Sequence, residues 1–542
     1  MKTCGELLVE MLEKYGVDTV FGIPGVHTVE LYRGLPNTQI RHITPRHEQG
    51  AGFMADGYAR ASGKVGVCFI ITGPGMTNIM TAMGQAYADS IPMLVISSVN
   101  PIKATGSQAG HLHELADQSG MVANVAAFSK TVWSPENLPS VLAEAFAVFK
   151  SARPLPVHIQ IPIDVITADA SHVKPIINHG MSRPKGDETL FDQAVGLLKQ
   201  AKNPVLLYGG GCVDVNADAV KLAEALDVPT CLTINAKGLL PPAHPLSLGS
   251  NQSLPSVRQL IKEADVVLAI GTELGETDYD VVFDGGFDIT GKIIRVDIDA
   301  HQLNRSFVCE IGIVSDAQYA VTQLYKKVKD LTFNHNAKAI VQQIKQQLIA
   351  DFSPAISVQT RLLQLVRDTL PEVIIVGDST QPVYGGNLGY EAIATRRWFN
   401  SSTGFGTLGY GLPAGIGAKL SVDAPVVVLI GDGGIQFTIA ELITAAELQL
   451  PIIIVLWNNQ GYGEIKRYMQ DRDLPTIGVD IKTPKFDLLA QGFGVNYRRI
   501  TTTEDFINSL KADSQGNIPM IYEINEADGF LVELGKSVKY FT

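Results

Sequence analysis

Apolar positions along this chain switch repeatedly between a helical period and short continuous runs. Thr3-Cys-Gly-Glu6 has the capping-box pattern, Leu7, Leu8, Met11 and Leu12 form a helical stripe, and Gly16 stops the helix. A short apolar run over 17–21 predicts a strand, followed by the turn Gly22-Ile-Pro-Gly25. Further strands are predicted over 40–44, 65–72 and 93–98, with helices over 48–61 and 77–88 between them. Strands joined by crossover helices predict a mostly parallel sheet covered on both faces. A polar, Pro-containing passage at 171–187 reads as a linker. A second unit then opens with a helix over 190–199 and a strand over 205–208, and continues through strands at 266–270 and 293–297. A polar helical connector over 336–347 leads to a third unit, whose strands run from 373–376 to 521–524. The resulting division is 1–170, 187–335 and 355–542. The first and third units share one layout, which hints at duplication.

Size and charge narrow the class. A chain of 542 residues exceeds what one core supports, and 46% hydrophobic with 18% charged residues describes large globular interiors. A formal net charge of −12 argues against a nucleic-acid partner, since phosphate contacts need clustered Lys and Arg. The five cysteines are scattered without paired spacing, and Cys68 and Cys231 lie in apolar strands, so inert core thiols are expected. With no signal-like opening and no 18-residue apolar run, the expectation is a soluble cytoplasmic protein without a membrane partner.

The candidate chemistry gathers at two strand ends. The strand over 426–430 ends in Gly431-Asp432-Gly433, and the strand over 451–457 ends in Asn458-Asn459, with an amphipathic helix over 439–448 between them. Asp432 and Asn459, 27 residues apart, therefore lie at carboxyl edges of a parallel sheet, where open α/β sheets bind ligands. A carboxylate, an amide oxygen and the carbonyl of Gly461 are hard oxygen donors suited to Mg²⁺, which completes its octahedron with phosphate oxygens and water. Gly-Asp-Gly alone is also a common strand-end turn; the spaced Asn is what favours metal and diphosphate. Backbone N–H groups of Gly433 and Gly434, expected at the start of the next helix, would face the diphosphate, where a side chain would obstruct it.

On these residues the chain resembles the decarboxylase and acetohydroxyacid-synthase group of thiamine-diphosphate enzymes. The resemblance also covers Gly22-Ile-Pro24-Gly25, Arg46-His-Glu48 and Gly73-Pro-Gly-Met-Thr-Asn78. It implies an α/β fold of three domains, two thiamine-diphosphate-binding parallel-sheet domains flanking a central Rossmann-like domain. It also implies that Glu48 shares a proton with the cofactor's aminopyrimidine, although a glutamate here also suits a helix N-terminus. In Gly404-Phe-Gly406-Thr-Leu408, the resemblance gives the Gly406 carbonyl to the 4′-amino group and wedges Leu408 between the two rings. Thr380 and Gln381, in Asp378-Ser-Thr-Gln381, resemble a second diphosphate contact, and Gly431 and Tyr462 flank the motif. The group builds each site between two chains, implying a homodimer or homotetramer.

Substrate-side candidates are His27, His113 and Glu464. His113 lies in Gly110-His-Leu-His-Glu114, where a relay with Glu114 is one reading and a structural histidine the other. Glu464, five residues past Asn459, falls where related enzymes set substrate size; it either meets a cation or points to solvent. Within the group the pattern is most similar to 5-guanidino-2-oxopentanoate (2-ketoarginine) decarboxylases, notably over 16–27, 46–60 and 112–114. A small-molecule 2-oxo acid with a cationic tail is the implied substrate. An acetolactate-synthase-like carboligase and a non-catalytic cofactor-binding regulator remain as alternatives. Gly209-Gly-Gly211 resembles a nucleotide turn only weakly. Gly271-Thr-Glu-Leu-Gly-Glu-Thr277 departs from the stretch that FAD-binding synthases carry, so no FAD is expected.

Overall fold

The computed structural model describes residues 1–215, 217–279 and 287–536; the end of the predicted third unit, 537–542, lies outside them. The first sheet contains β1 (Thr19–Gly22), β2 (Arg41–Ile43), β3 (Gly66–Ile70), β4 (Met93–Val99), β5 (Phe128–Thr131) and β6 (Val157–Pro162), in the order β2-β1-β3-β4-β6-β5. The central sheet contains β7 (Pro204–Tyr208), β8 (Thr230–Leu232), β9 (Val266–Ile270), β10 (Lys292–Asp297) and β11 (Ile311–Val314), ordered β11-β10-β9-β7-β8. The third contains β12 (Ile374–Gly377), β13 (Trp398–Asn400), β14 (Val426–Gly431), β15 (Ile452–Asn458), β16 (Asn496–Arg499) and β17 (Met520–Asn525), ordered β13-β12-β14-β15-β17-β16. Every strand pairing within these sheets is parallel. Position for position, the third sheet repeats the order of the first, so the shared layout extends to topology.

The local causes are those of the sequence. Thr3 Oγ1 accepts from Glu6 N at 3.2 Å and Glu6 Oε2 accepts from Thr3 N at 2.7 Å, closing the capping box of helix Cys4–Lys14. β14 and β15 are runs of branched residues buried on both faces, as a sheet sandwiched between helices requires. The passage over 171–187 holds no helix and only one isolated bridge, Lys185 to Ser315.

The first and third units pack closely against each other. Helix Glu48–Ser62 lies backbone-to-backbone on helix Gly411–Ser421: a methyl at Gly57 would sit 2.0 Å from the Ala414 carbonyl oxygen, and one at Gly417 1.9 Å from that of Met54. Around this crossing, Phe53, Met54 and Ile79 join Val428 and Ile454 in one apolar core, so the first and third sheets share an interior. The central sheet keeps its own core and is tied to the third unit by Lys237, whose Nζ donates to the Tyr390 carbonyl at 2.6 Å. Burial lowers the Lys237 pKa to about 7.

One element differs from expectation. The chain after Asp432 forms a four-residue 3₁₀ turn, Gly434–Phe437, and the α-helix starts only at Glu441. Gly433 and Gly434 therefore do not open an α-helix. Thr438 Oγ1 donates to the Gly409 carbonyl at 2.7 Å, pinning this segment to a neighbouring turn before the helix can begin.

Candidate active site

The register β14–β15 pairs Gly431 with Trp457, and Asp432 N extends the ladder to the Trp457 carbonyl at 3.0 Å. Asp432 and Asn459 thus emerge side by side at the carboxyl edge. The buried Asp432 carboxylate accepts from Asn459 N at 3.4 Å and Gly461 N at 3.0 Å, and burial raises its pKa above the usual carboxylate range. The Asn459 side-chain oxygen faces two other acceptors, Asp432 Oδ1 at 3.2 Å and the Gly461 carbonyl at 2.8 Å. With its amide oxygen turned inward, Asn459 offers one ion an amide oxygen beside the Asp432 carboxylate and the Gly461 carbonyl. Around Mg²⁺, with ligands at about 2.1 Å, adjacent octahedral oxygens are about 3.0 Å apart, so this set fits that ion. Turning the amide would instead let its nitrogen donate to both oxygens, closing the same three groups on one another.

The surrounding glycines leave room that side chains would fill. A methyl at Gly433 would meet the Tyr462 ring at 2.8 Å, and methyls at Gly431 and Gly434 would lie 3.1 Å from Thr380 Oγ1 and 3.0 Å from Asp378 Oδ1. Gln381 Oε1 accepts from Trp457 Nε1 at 3.2 Å, which fixes its orientation beside β15. Asp378 is fully buried and receives Ser379 N and Gly411 N, each at 2.9 Å; burial nevertheless raises its pKa to about 6. It ties the end of β12 to the turn carrying Gly406 and Leu408. In that turn Gly406 is exposed with φ +68°, and Leu408 is half-buried.

A second cluster forms at the edge of the first sheet. Glu48 starts its helix with His47 as N-cap, whose Nδ1 accepts from Gln49 N at 3.1 Å. Asn78 Nδ2 donates to Glu48 Oε2 at 2.9 Å, and Gly75 lets helix Pro74–Ala88 start hard against Ile71, where a methyl would lie 2.7 Å from Cγ2. Glu48 remains partly exposed in the single chain. Gly25 abuts Ile71, receives no side chain of its own, and has its N–H held by Thr28 Oγ1 at 2.9 Å; Pro24 beside it is exposed. The His27 and His113 rings lie 5.2 Å apart, each with a buried Nδ1 that has no hydrogen-bond partner among the described residues. Burial first, and then the His113 charge, lower the His27 pKa. His113 adopts φ +61° against Gly73, which is itself at φ +71°.

Glu114 does not reach His113. Its carboxylate accepts from Ser107 Oγ, Gln108 N, Gly110 N and His111 N at 2.7–3.0 Å, closing the loop that presents His113. Those four donors hold its pKa below the usual range despite a desolvation penalty of opposite sign. Glu464 is half-exposed on helix Gly463–Gln470 with Arg467 Nη1 at 3.7 Å. The same patch includes Glu526, directly past β17, whose N–H donates to the Asn458 carbonyl at 3.0 Å. Glu526 carries no local sequence signal; only the register of β15 with β17 brings it beside Asn458.

Three family models match: "Thiamine pyrophosphate enzyme, N-terminal TPP binding domain" over 2–121, the central domain over 191–324, and the C-terminal TPP binding domain over 381–524. A Pseudomonas aeruginosa protein described as a "Probable 2-ketoarginine decarboxylase" is 43% identical over 515 residues, 94% of this chain and 91% of that one. The chain belongs to the thiamine pyrophosphate enzyme family. The Escherichia coli acetolactate synthase isozyme 1 large subunit is 35% identical, covering 91% of this chain and 88% of its own. A Mycobacterium smegmatis structure, described as that of a "putative thiamin diphosphate-dependent enzyme", superposes with TM-score 0.82 at 22% identity, covering 97% of this chain and 99% of that one.

Within this thiamine pyrophosphate enzyme, a cavity of about 250 Å³ opens elsewhere, between residues of all three units, lined in part by Arg153, Gly210, Gly211, Asp278 and Asp297. None of the residues singled out at the two clusters lines it. The glycine run there has a packing cause: a methyl at Gly209 would lie 2.2 Å from the Gly271 carbonyl oxygen, so the ends of β7 and β9 require a residue without Cβ. Among the described residues no helix is long and apolar enough to cross a membrane.

Proposed function

We propose that this enzyme decarboxylates a 2-oxo acid with a cationic tail, using thiamine diphosphate and Mg²⁺, and releases the aldehyde and CO₂. The observation that carries the reading is the convergence of Asp432, Asn459 and Gly461 at the adjoining carboxyl ends of β14 and β15, where the Asp432 carboxylate accepts from both Asn459 N and Gly461 N. Asp432, Asn459 and Gly461 hold the ion. Gly431, Gly433 and Gly434 leave the diphosphate its space, and Thr380, Gln381 and Tyr462 border it. Pro24, Gly25, Asn78, the Gly406 carbonyl and Leu408 place the aminopyrimidine end. When bound, the cofactor supplies an electron sink for the pair left behind by departing CO₂.

Glu48 holds a proton at the pyrimidine ring nitrogen, and Asn78 orients it. His27 and His113 face the substrate side, and Glu464 meets the cationic tail. In support, the 43% identical relative is described as acting on 2-ketoarginine. The division 1–170, 187–335 and 355–542 places the two clusters in different domains. Glu48 is only partly covered within one chain, which supports a site completed across a homodimer or homotetramer. A cytoplasmic location, and no use of FAD, belong to the same reading.

A second reading, acetolactate-synthase-like carboligation to a hydroxyketone or acetohydroxy acid, draws support from the 35% identical synthase. Products separate the two. A panel of cationic, neutral and acidic 2-oxo acids, assayed for CO₂ and aldehyde with and without Mg²⁺ and thiamine diphosphate, should show cofactor-dependent aldehyde from the cationic members. Cofactor-independent turnover, or coupling of two oxo acids without aldehyde, would overturn it.

A further inference from the structure

The turn bearing Gly406 and Leu408 is poorly suited to hold its own shape. Gly404 and Gly406 both sit in the left-handed region, at φ +65° and +68°, and Phe405 between them is largely exposed. Its rigidity comes from elsewhere: the last turn of helix Pro74–Ala88 presses against it. Gly84 receives the Phe405 ring, where a methyl would lie 2.7 Å from the nearest ring atom, and a methyl on Gly404 would lie 2.7 Å from Ala88 Cβ. Small residues on the helix thus let the turn sit directly on its surface.

Gln85 lies at the centre of this contact and is fully buried. Its Nε2 donates to the Thr403 carbonyl at 3.0 Å and to Asp89 Oδ2 at 2.9 Å. Its Oε1 accepts from Thr407 Oγ1 at 3.0 Å and from Thr407 N at 3.4 Å. Both amide hydrogens and both lone-pair directions of the oxygen are therefore used. Two of the partners bracket Gly404-Phe405-Gly406, one residue short of Leu408. Asp89 in turn gathers Arg60 Nη2 at 2.7 Å, Thr403 Oγ1 at 3.0 Å and Asn235 Nδ2 at 3.1 Å, fixing the amide's own position with donors from all three units.

We propose that Gln85 is a positioning residue: its amide sets the height and tilt of the 403–408 turn, and so where the Gly406 carbonyl and the Leu408 side chain present themselves to the aminopyrimidine end of the cofactor. The inference rests on the roles given to Gly406 and Leu408 above. It adds a device not visible in any motif, because Gln85 is remote in sequence from the turn it holds. The opposite end of the same helix carries Asn78 against Glu48, so one rigid rod supports both pyrimidine-facing elements.

The test compares two ligands on the full-length protein by calorimetry: thiamine diphosphate with Mg²⁺, and inorganic pyrophosphate with Mg²⁺. Gln85→Met keeps the volume and removes all four hydrogen bonds. It should weaken thiamine diphosphate about 10- to 100-fold, as expected for buried polar partners left unpaired, while pyrophosphate binding changes less than about twofold, since Asp432 and Asn459 are untouched. At saturating cofactor, kcat should fall with the KM for the oxo acid little changed. Thr407→Val, which removes one of the four bonds and alters the fold less, should shift thiamine diphosphate in the same direction by a smaller factor, and Thr407→Ser should restore it. That pair decides the matter if Gln85→Met does not fold. Equal losses for both ligands mean that Gln85 only stabilises the fold and overturn the proposal, as does an unchanged affinity for thiamine diphosphate. A wild-type protein that binds pyrophosphate but not thiamine diphosphate would remove the reading of the site itself.

Discussion

Replacing Gly57 by alanine tests how the two clusters carried by one chain are held in one frame. Helix Glu48–Ser62 begins at Glu48, and helix Gly411–Ser421 continues directly from the glycine turn. The added methyl would lie 2.0 Å from the Ala414 carbonyl oxygen and 2.6 Å from its carbon, where ordinary contact begins at 3.4 Å. The obstacle is backbone, so no rotamer change relieves it, and the helices must part locally by about 1.4 Å. Overpacking of this kind costs about 1–3 kcal/mol, and a rigid neighbour places it near the top of that range, less about 1 kcal/mol returned by alanine's better helix propensity. The same displacement tilts the helix that carries Glu48, and a misplacement of about 1 Å is worth up to about 10²-fold in rate.

Urea unfolding of the holoenzyme and kcat/KM on the best oxo acid are the assays. Gly57→Ala should lower both the unfolding midpoint and kcat/KM. Gly417→Ala, with its methyl 1.9 Å from the Met54 carbonyl oxygen, should do the same. The double variant should cost less than the sum, because helices already parted accept the second methyl more easily. Gly196, in helix Glu188–Gln200 with nothing within 4 Å of its virtual Cβ, is the control, and alanine there should stabilise by about 0.5–1 kcal/mol. If Gly57→Ala behaves like Gly196→Ala, the close-packed crossing does not exist and the reasoning fails.

Three further outcomes are expected. His158, buried in β6 between Ser97 Oγ at 2.8 Å and Ser129 Oγ at 2.7 Å, has its pKa lowered by burial to about 3. The unfolded chain takes up that proton near pH 6.5 and the folded chain only near 3, so this contribution is full above pH 6.5 and is lost as the pH falls to 3. It is on the order of 5 kcal/mol across the window, and His158→Gln should flatten the acid limb of stability against pH; an unaltered limb would refute it. Asp432→Ala and Asn459→Ala should each abolish Mg²⁺-dependent retention of thiamine diphosphate on gel filtration. Because burial raises the Asp432 pKa and the ion needs the carboxylate, the wild-type Mg²⁺ requirement should also rise toward acid pH; retention by either variant would count against the ion site. Glu464→Gln should raise KM for a cationic oxo acid about tenfold or more while sparing a neutral one; equal effects would show that Glu464 does not meet the tail.

Much of this protein was legible along the chain because the physics involved is local. Branched apolar runs spaced by helical stripes can only form covered parallel strands, and the capping box at Thr3 formed as its residue types dictate. The meeting of Asp432, Asn459 and Gly461 was legible for a related reason: each residue lies just past the end of a strand, and adjacent parallel strands in register deliver their ends together. Tertiary structure decided what depends on segments distant in sequence. The 3₁₀ turn after Asp432 in place of a helix start follows from Thr438 gripping Gly409. The loop-closing role of Glu114 follows from four donors that only the folded loop aligns. The shared core of the first and third sheets, the backbone contact at Gly57 and the grip of Gln85 on the 403–408 turn join residues up to several hundred positions apart. No local period or motif encodes such meetings, because their free energy exists only once both surfaces are assembled.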